Sequence, residues 1–297
     1  MAQSKESSTK STSESLDDLI SKLPRREGWT EPLFLYKNYW FRRFLLERIM
    51  LARESFKARH DDTILATNPK CGTTWLKALA FTITNRSLYN FNNHPLLTRH
   101  PHEVVKTIEV VIPMNGDLTS IEELRSPRLL STHLPPSLLP ESIAIHGCRI
   151  VYICRDPKDS FVSGWHFFNE VDGGKVDIHV AFNMFCEGVS HCGPFWDHCL
   201  EYWKESIAKP NRVLFVKYEE VMSDTVKFVK RLASFLGDPF TGEEEDAGVP
   251  EEVMRLCSFK TLSSLKTDQT DALHGAAERQ GGWLGELHQR GDGEEIG

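Results

Sequence analysis

No run of apolar residues in this chain of 297 approaches the roughly 20 needed to cross a bilayer, so a helical membrane-spanning protein is excluded on length. Basic residues are in deficit: 35 Lys and Arg face 42 Asp and Glu, a formal charge of −7, whereas a general nucleic-acid binder needs a net basic face. Any polyanionic ligand must therefore be held by a few placed cations and backbone amides. The seven cysteines, at positions 71, 148, 154, 186, 192, 199 and 257, form no C-x-x-C pair and read as reduced thiols in a cytoplasmic protein. Cys186, Cys192 and Cys199 stand near His179, His191 and His198, which leaves a metal cluster open, although packed thiols and surface histidines are the simpler reading and no metal is expected. The stretch 1–18, MAQSKESSTKSTSESLDD, lacks the apolar core of a leader or anchor and is expected to be a disordered tail. No nucleic-acid or membrane partner is expected, and the chain reads as a monomer or weak homodimer.

What is present is a repeated strand-to-helix plan. Thr63 to Ala66 is a short strand candidate followed by a glycine-bearing loop and a helix over Thr73 to Thr82. Arg128 to Thr132 is a strand ended by the Pro-rich turn LPPSLLP, which leaves His133 at its carboxyl end. Ile150 to Cys154 is a continuous apolar strand, followed by a polar turn and a helix starting near Pro157 to Lys158. Val213 to Lys217 is another. The helix after it carries Val226, Val229, Ala233 and Leu236 on one face and closes at Gly237, with Pro239 just beyond. Upstream, the aromatic-rich stretch from Leu33 to Asp62 shows helical spacing at Leu45, Ile49, Leu51 and Ala52 and reads as a helix packed on the core. The acidic run Glu243 to Asp246 reads as a solvated loop. Apolar strands alternating with helices imply an α/β fold, a parallel sheet of about five strands covered by helices on both faces, with its chemistry at the strand carboxyl ends.

The loop after the first of these strands is NPKCGTTW, 68–75. In the common phosphate loop a lysine follows the last glycine and a Ser or Thr follows the lysine. Here Lys70 precedes Gly72, and Thr73 and Thr74 follow the glycine, an order that disfavours a magnesium-dependent kinase. A helix N-terminus with a tight turn still suits an anion, through its amides and its dipole. A helix N-terminus also lowers a thiol pKa, which leaves a Cys71 nucleophile as a rival, but no Cys-His-Asn order surrounds it.

Three ordered motifs, Pro-Lys-Cys-Gly-Thr-Thr-Trp (69–75), Ser-Thr-His-Leu-Pro (131–135) and Tyr-x-Cys-Arg-Asp-Pro-Lys-Asp-x-x-x-Ser (152–163), together resemble the cytosolic sulfotransferases, the plant members above all. The resemblance extends from about Leu33 to about Leu265 and includes LTRHPHEVV and SPRLLSTHLP. It implies a P-loop-NTPase-like three-layer fold. It also implies transfer of a sulfuryl group from 3′-phosphoadenylyl sulfate to a hydroxyl of a small acceptor such as a flavonoid, steroid or hormone, without a metal. Apolar segments around Trp40, Phe81 and Trp165 suit such an acceptor.

On this resemblance Lys70 and the loop Cys71, Gly72, Thr73 and Thr74 would hold the phosphosulfate. Trp75 would stack on the adenine, while Arg155 and Ser163 would bind the 3′-phosphate. Tyr218 and the segment Cys257, Ser258 and Phe259 would lie beside the nucleotide, and His133 would be the general base. Cys71 departs from the family's usual serine, and a thiol is the weaker donor.

The resemblance fails near the end. Where the family carries R-K-G-x-x-G-D-W, this chain has HGAAERQGGWLGELHQRGDGEEIG. Back-translated with permitted codons and read one base later, Gly282 to Asp292 gives GGWENYINAEM, which looks like the family's continuation. A reading-frame shift between about Lys266 and Arg279 is therefore an explanation to test by sequencing the transcript. The expected organisation is a tail (1–18), one sulfotransferase domain (19–265) and a divergent segment (266–297). A homologue that binds the nucleotide with little turnover is the alternative to an active enzyme.

Overall fold

The computed structural model describes residues 16–173 and 176–264. Its first strands, β1 (Arg25–Arg26), β2 (Leu33–Tyr36) and β3 (Tyr39–Arg42), form a small antiparallel sheet in that order. The two residues joining β2 to β3, Lys37 and Asn38, both have positive φ, 48° and 70°. That is the backbone a tight two-residue hairpin needs to match strand twist. Only the second half of this stretch is the expected helix, α1 (Arg43–Ser55), which buries Leu45, Leu46, Ile49, Leu51 and Ala52.

The main sheet holds β4 (Thr63–Thr67), β5 (Lys106–Thr107), β6 (Leu129–Thr132), β7 (Arg149–Cys154) and β8 (Val213–Lys217). They lie in the order β5-β6-β4-β7-β8, and every neighbouring pair is parallel. The helices that bear on the site are α2 (Thr73–Asn85), α3 (Pro101–Val104), α4 (Ile108–Val111), α5 (Pro157–Val171), α6 (Phe195–Ala208), α7 (Tyr218–Ser223), α8 (Thr225–Leu236) and α9 (Val249–Leu256).

β4 reads Thr-Ile-Leu-Ala-Thr with all five residues buried, the pattern of a strand covered on both faces. Its side chains alternate accordingly. Ile64 packs with Leu45, Leu46 and Ile49 of α1, while Leu65 packs with residues of α2, α8 and α9. The result is the expected three layers around a five-stranded parallel sheet. The chain leaves β4 for the β5 and β6 side, whereas β7 leads outward to β8. The topological switch, where open α/β sheets form a ligand crevice, therefore lies between the carboxyl ends of β4 and β7.

One expected loop is a helix. Gly242–Asp246 forms a turn of α-helix with a capping box, Thr241 Oγ1 accepting from Glu244 N and the Glu244 carboxylate accepting from Thr241 N. The Thr-x-x-Glu spacing is the local signal, and Arg86 Nε fixes the same carboxylate at 2.8 Å.

At the opposite end of the sheet from the switch point, Arg128 and Asp62 form an enclosed two-point ion pair, Nε–Oδ1 2.9 Å and Nη2–Oδ2 2.5 Å. Both side chains are almost wholly buried. Breaking such a pair leaves one charge without its counter-ion. Asp62→Asn is therefore expected to cost about 3–5 kcal/mol and to lower the thermal midpoint by roughly 6–15 °C. Thermal unfolding followed by circular dichroism checks this, and a shift under 2 °C would contradict it.

Candidate active site

The loop after β4 turns because two of its residues take left-handed backbone, Lys70 at φ 67° and Gly72 at φ 94°. A Cβ on Gly72 would stand 3.1 Å from the Tyr218 ring, so this glycine is required by close approach as well as by φ. Alternation of this kind turns successive amides into one concavity, and α2 begins directly behind it. No acidic residue stands in the first turn of α2 and no side chain caps it, so its dipole is unopposed toward an anion.

Each motif residue has a definite place around this loop. Lys70 Nζ lies 4.0 Å from the centre of the Phe167 ring on α5. Cys71 is buried, and its Sγ meets Ser160 Oγ at 3.0 Å, tying the loop to α5. Thr73 Oγ1 faces inward to Thr67 Oγ1 at 2.6 Å, and Thr74 Oγ1 lies 3.2 Å from His102 Nε2. The rings of Trp75 and Tyr218 meet edge-on at 5.7 Å, and the Arg155 guanidinium lies 5.0 Å from the Tyr218 ring centre. Ser163 sits two turns into α5, half-buried.

His133 follows the carboxyl end of β6, beside that of β4. Its Nδ1 lies 2.9 Å from the Thr67 carbonyl oxygen. A carbonyl can only accept, so Nδ1 carries the proton and the lone pair is on Nε2. Glu109 fixes the backbone here: its carboxylate accepts from His133 N at 2.6 Å and from Thr132 Oγ1 at 2.9 Å. On the other side His198 Nε2 donates to the His133 carbonyl oxygen at 3.0 Å. Burial, followed by the charges of Lys77 and Lys70, pushes His133 down to about 4, against which its bond to Thr67 works. The ring is neutral at pH 7.

The arrangement also fits a bound nucleotide anion on a second count. Arg155 Nε is buried with no hydrogen-bond partner among the described residues, and its one ion pair, to Asp159, is loose at 3.5 Å. A guanidinium offers five donors in a plane, and this one holds donor capacity in reserve beside the crevice.

The chain matches the sulfotransferase domain over residues 60–282. It belongs to the sulfotransferase family. Cytosolic sulfotransferase 17 of Arabidopsis thaliana is 45% identical over 257 residues, 85% of this chain and 74% of that protein. Flavonol 3-sulfotransferase of Flaveria bidentis is 42% identical over 267 residues, 86% and 83% of the two chains. Among solved structures, an Arabidopsis thaliana protein provisionally described as a steroid sulphotransferase superposes with a TM-score of 0.72 at 40% identity, covering 89% of this chain and 90% of that one. Mouse sulfotransferase SULT7A1 complexed with PAP superposes with a TM-score of 0.60 at 26% identity, covering 78% and 76%.

The sulfotransferase is thus a transferase of sulfuryl groups. Cys257 is buried, with its Sγ 3.3 Å from Thr82 Oγ1, and belongs to the apolar cluster on which Trp75 and Tyr218 pack. Ser258 Oγ is engaged with Thr261 Oγ1 at 2.8 Å. The Phe259 side chain and the segment 266–297 lie outside the described residues. The three aromatics expected to suit an acceptor fall into separate clusters: Trp40 packs with Leu33 and Val189, Phe81 with Tyr89 and His94, and Trp165 with the Trp29 and Phe161 group. The thiol of Cys71 is pushed up to about 12 by burial, which removes it as a nucleophile at neutral pH. Among the described residues no group of three or more His, Cys, Asp or Glu could hold a metal ion, and no helix is long and apolar enough to cross a membrane.

Sequence reasoning did not reach Thr67, Glu109 or Ser160, and it took His191 and His198 for surface histidines, whereas both are buried and His198 bonds the His133 carbonyl. The one visible signal was Glu109, a carboxylate inside the apolar run Ile108–Val111.

His133 and His198 are both neutral by burial, the second pushed down to about 3. An unfolded chain takes up these protons near pH 6.5, before the folded chain does. Stability from their neutral burial is therefore complete above about pH 6.5 and is lost as pH falls toward 4, by up to about 1.4 kcal/mol per unit for each ring. The thermal midpoint is expected to drop steeply from pH 6.5 to 4.5. An unchanged midpoint across that acid range would contradict the placement of these rings.

Proposed function

We propose that this chain transfers the sulfuryl group of 3′-phosphoadenylyl sulfate to the hydroxyl of a small acceptor of the flavonoid, steroid or hormone kind, as a cytoplasmic enzyme whose catalytic domain spans 19–265. The observation that carries this reading is convergence. The loop with Lys70, the neutral His133 and the under-used Arg155 stand at the carboxyl ends of three adjacent strands, β4, β6 and β7.

When bound, the nucleotide supplies an activated sulfuryl group on a phosphate leaving group. Lys70 and the amides of Cys71 to Thr74 stabilise charge that grows on that phosphate in the transition state. Because Cys71 turns its side chain to Ser160, the exchange of serine for cysteine leaves the amide contacts intact. Trp75 packs on the adenine, with Tyr218 and the segment Cys257 to Phe259 enclosing it. Arg155 and Ser163 take the 3′-phosphate. At the other end His133 Nε2 takes the acceptor's hydroxyl proton as the new sulfur–oxygen bond forms and the old one breaks. The Thr67 carbonyl then steadies the imidazolium through Nδ1–H.

A second reading keeps one specific observation in its favour. The segment 266–297 departs from the family's R-K-G pattern, and the family match ends at residue 282. A chain lacking that wall would bind the nucleotide with little turnover, each lost charge-assisted contact costing about 1.5–3 kcal/mol.

Calorimetry with adenosine 3′,5′-bisphosphate, run beside sulfuryl transfer to a panel of phenols and sterols, separates the two. Transfer by the wild type, lost about 10²- to 10⁴-fold in His133→Ala with nucleotide affinity kept, is the expected result. Binding without transfer to any acceptor supports the second reading, and absence of binding contradicts both.

A further inference from the structure

Lys77 lies on the buried side of α2, with its side chain fully enclosed, and among the described residues no carboxylate bonds it. Its ammonium meets three acceptors instead: His102 Nδ1 at 2.7 Å, the Val105 carbonyl at 3.1 Å and Thr107 Oγ1 at 2.8 Å. An ammonium has three protons and no lone pair, so each contact has only one possible direction. Along one branch Thr107 passes its proton to Ser131 Oγ at 2.9 Å, and Ser131 donates to the Lys106 carbonyl at 3.2 Å, where the chain ends.

The other branch does not end in the backbone. With Nδ1 of His102 accepting, its proton is on Nε2, which faces Thr74 Oγ1 at 3.2 Å. Thr74 Oγ1 must then accept on that side, so its own proton is directed elsewhere. Thr74 is half-buried in the first turn of α2, in the loop that faces the crevice. His102 is held for this task by its place on α3. Its own amide donates to His100 Nδ1 at 3.3 Å, and the two rings stack at 5.0 Å.

We propose that Lys77 and His102 are positioning residues of the phosphosulfate site: protons handed outward from the Lys77 ammonium fix His102 as the Nε2–H tautomer, which aims the Thr74 hydroxyl proton at the bound anion. This rests on the reading of Thr74 as a phosphosulfate contact. It gives a role to the His-Pro-His element of LTRHPHEVV and to a lysine buried on the core side of α2.

The charges around the ammonium are consistent with this. Burial lowers Lys77 to about 7; Glu109 on α4 works against that and Lys106 on β5 adds to it. His100, which caps α3, His102 on α3 and His133 after β6 are neutral rings, all lowered chiefly by burial. A bound anion favours the charged ammonium, so binding is measured at pH 6.5.

The test is calorimetric titration of adenosine 3′,5′-bisphosphate into the full chain and its variants. Thr74→Val and His102→Leu are each expected to weaken binding about 10-fold, and the double variant to be no weaker than Thr74→Val alone. His102→Gln is expected to stay within about 3-fold of wild type, because its amide oxygen can accept from Lys77 while its NH₂ donates to Thr74. His102→Asn, too short to span both, is expected to behave like His102→Leu and serves if the leucine variant fails to fold. Losses that multiply in the double variant, or an asparagine variant as tight as the glutamine one, would overturn the relay and leave the nucleotide site standing. Unchanged affinity in Thr74→Val would overturn the relay and the Thr74 contact together.

Discussion

Thr67, the last residue of β4, is the point on which the site depends. Its carbonyl receives the His133 Nδ1 proton, and its hydroxyl meets Thr73 at the start of α2. One residue thus sets the histidine's tautomer and anchors the helix that follows the Lys70 loop. This works because β4 is paired on both sides, with β6 at Ala66↔Thr132 and with β7 at Thr67↔Ile153. Register in a parallel sheet is fixed by burial on both faces, since a one-residue slip would exchange Ile64 and Leu65 between the two layers.

The polar groups that surround the site are costly to bury singly and are therefore bound to one another. Glu109 is enclosed and raised by burial, yet it holds the His133 amide and the Thr132 hydroxyl, bonds that partly offset its desolvation. Lys77 spends its three protons on uncharged acceptors. The same enclosure keeps His133 neutral, because burial disfavours an imidazolium and the charges of Lys77 and Lys70 add to that. A neutral base with a fixed lone pair is what proton removal from a hydroxyl needs.

Four strands of the main sheet and the loop after β4 were legible in the sequence, since an apolar run followed by a polar turn marks a buried strand and its end, whereas the two-residue edge strand β5 was too short to show such a pattern. Val213–Lys217 agrees to the residue, and the helix after Asp156 begins at Pro157 as its Asp-Pro start implies. The hairpin of β2 and β3 was hidden because its turn uses Lys37 and Asn38 in place of the glycine that normally marks positive φ. The supporting residues were hidden for a different reason. Thr67 and His133 are 66 positions apart and Lys77 and Thr107 are 30, so their roles exist only after parallel pairing brings distant strand ends together. Cys71 shows the converse: its identity was plain, but only packing shows its thiol turned away to Ser160.

The central claim is that His133 enters the reaction as a neutral ring with its lone pair on Nε2. Nitrogen-15 NMR of the histidine-labelled protein at pH 7, with the His133 signal identified by its loss in His133→Asn, reads the protonation of both ring nitrogens. The account predicts a proton on Nδ1 and none on Nε2, unchanged as pH is lowered to 5.5. A ring protonated on Nε2, or an imidazolium forming near pH 6.5, would contradict it.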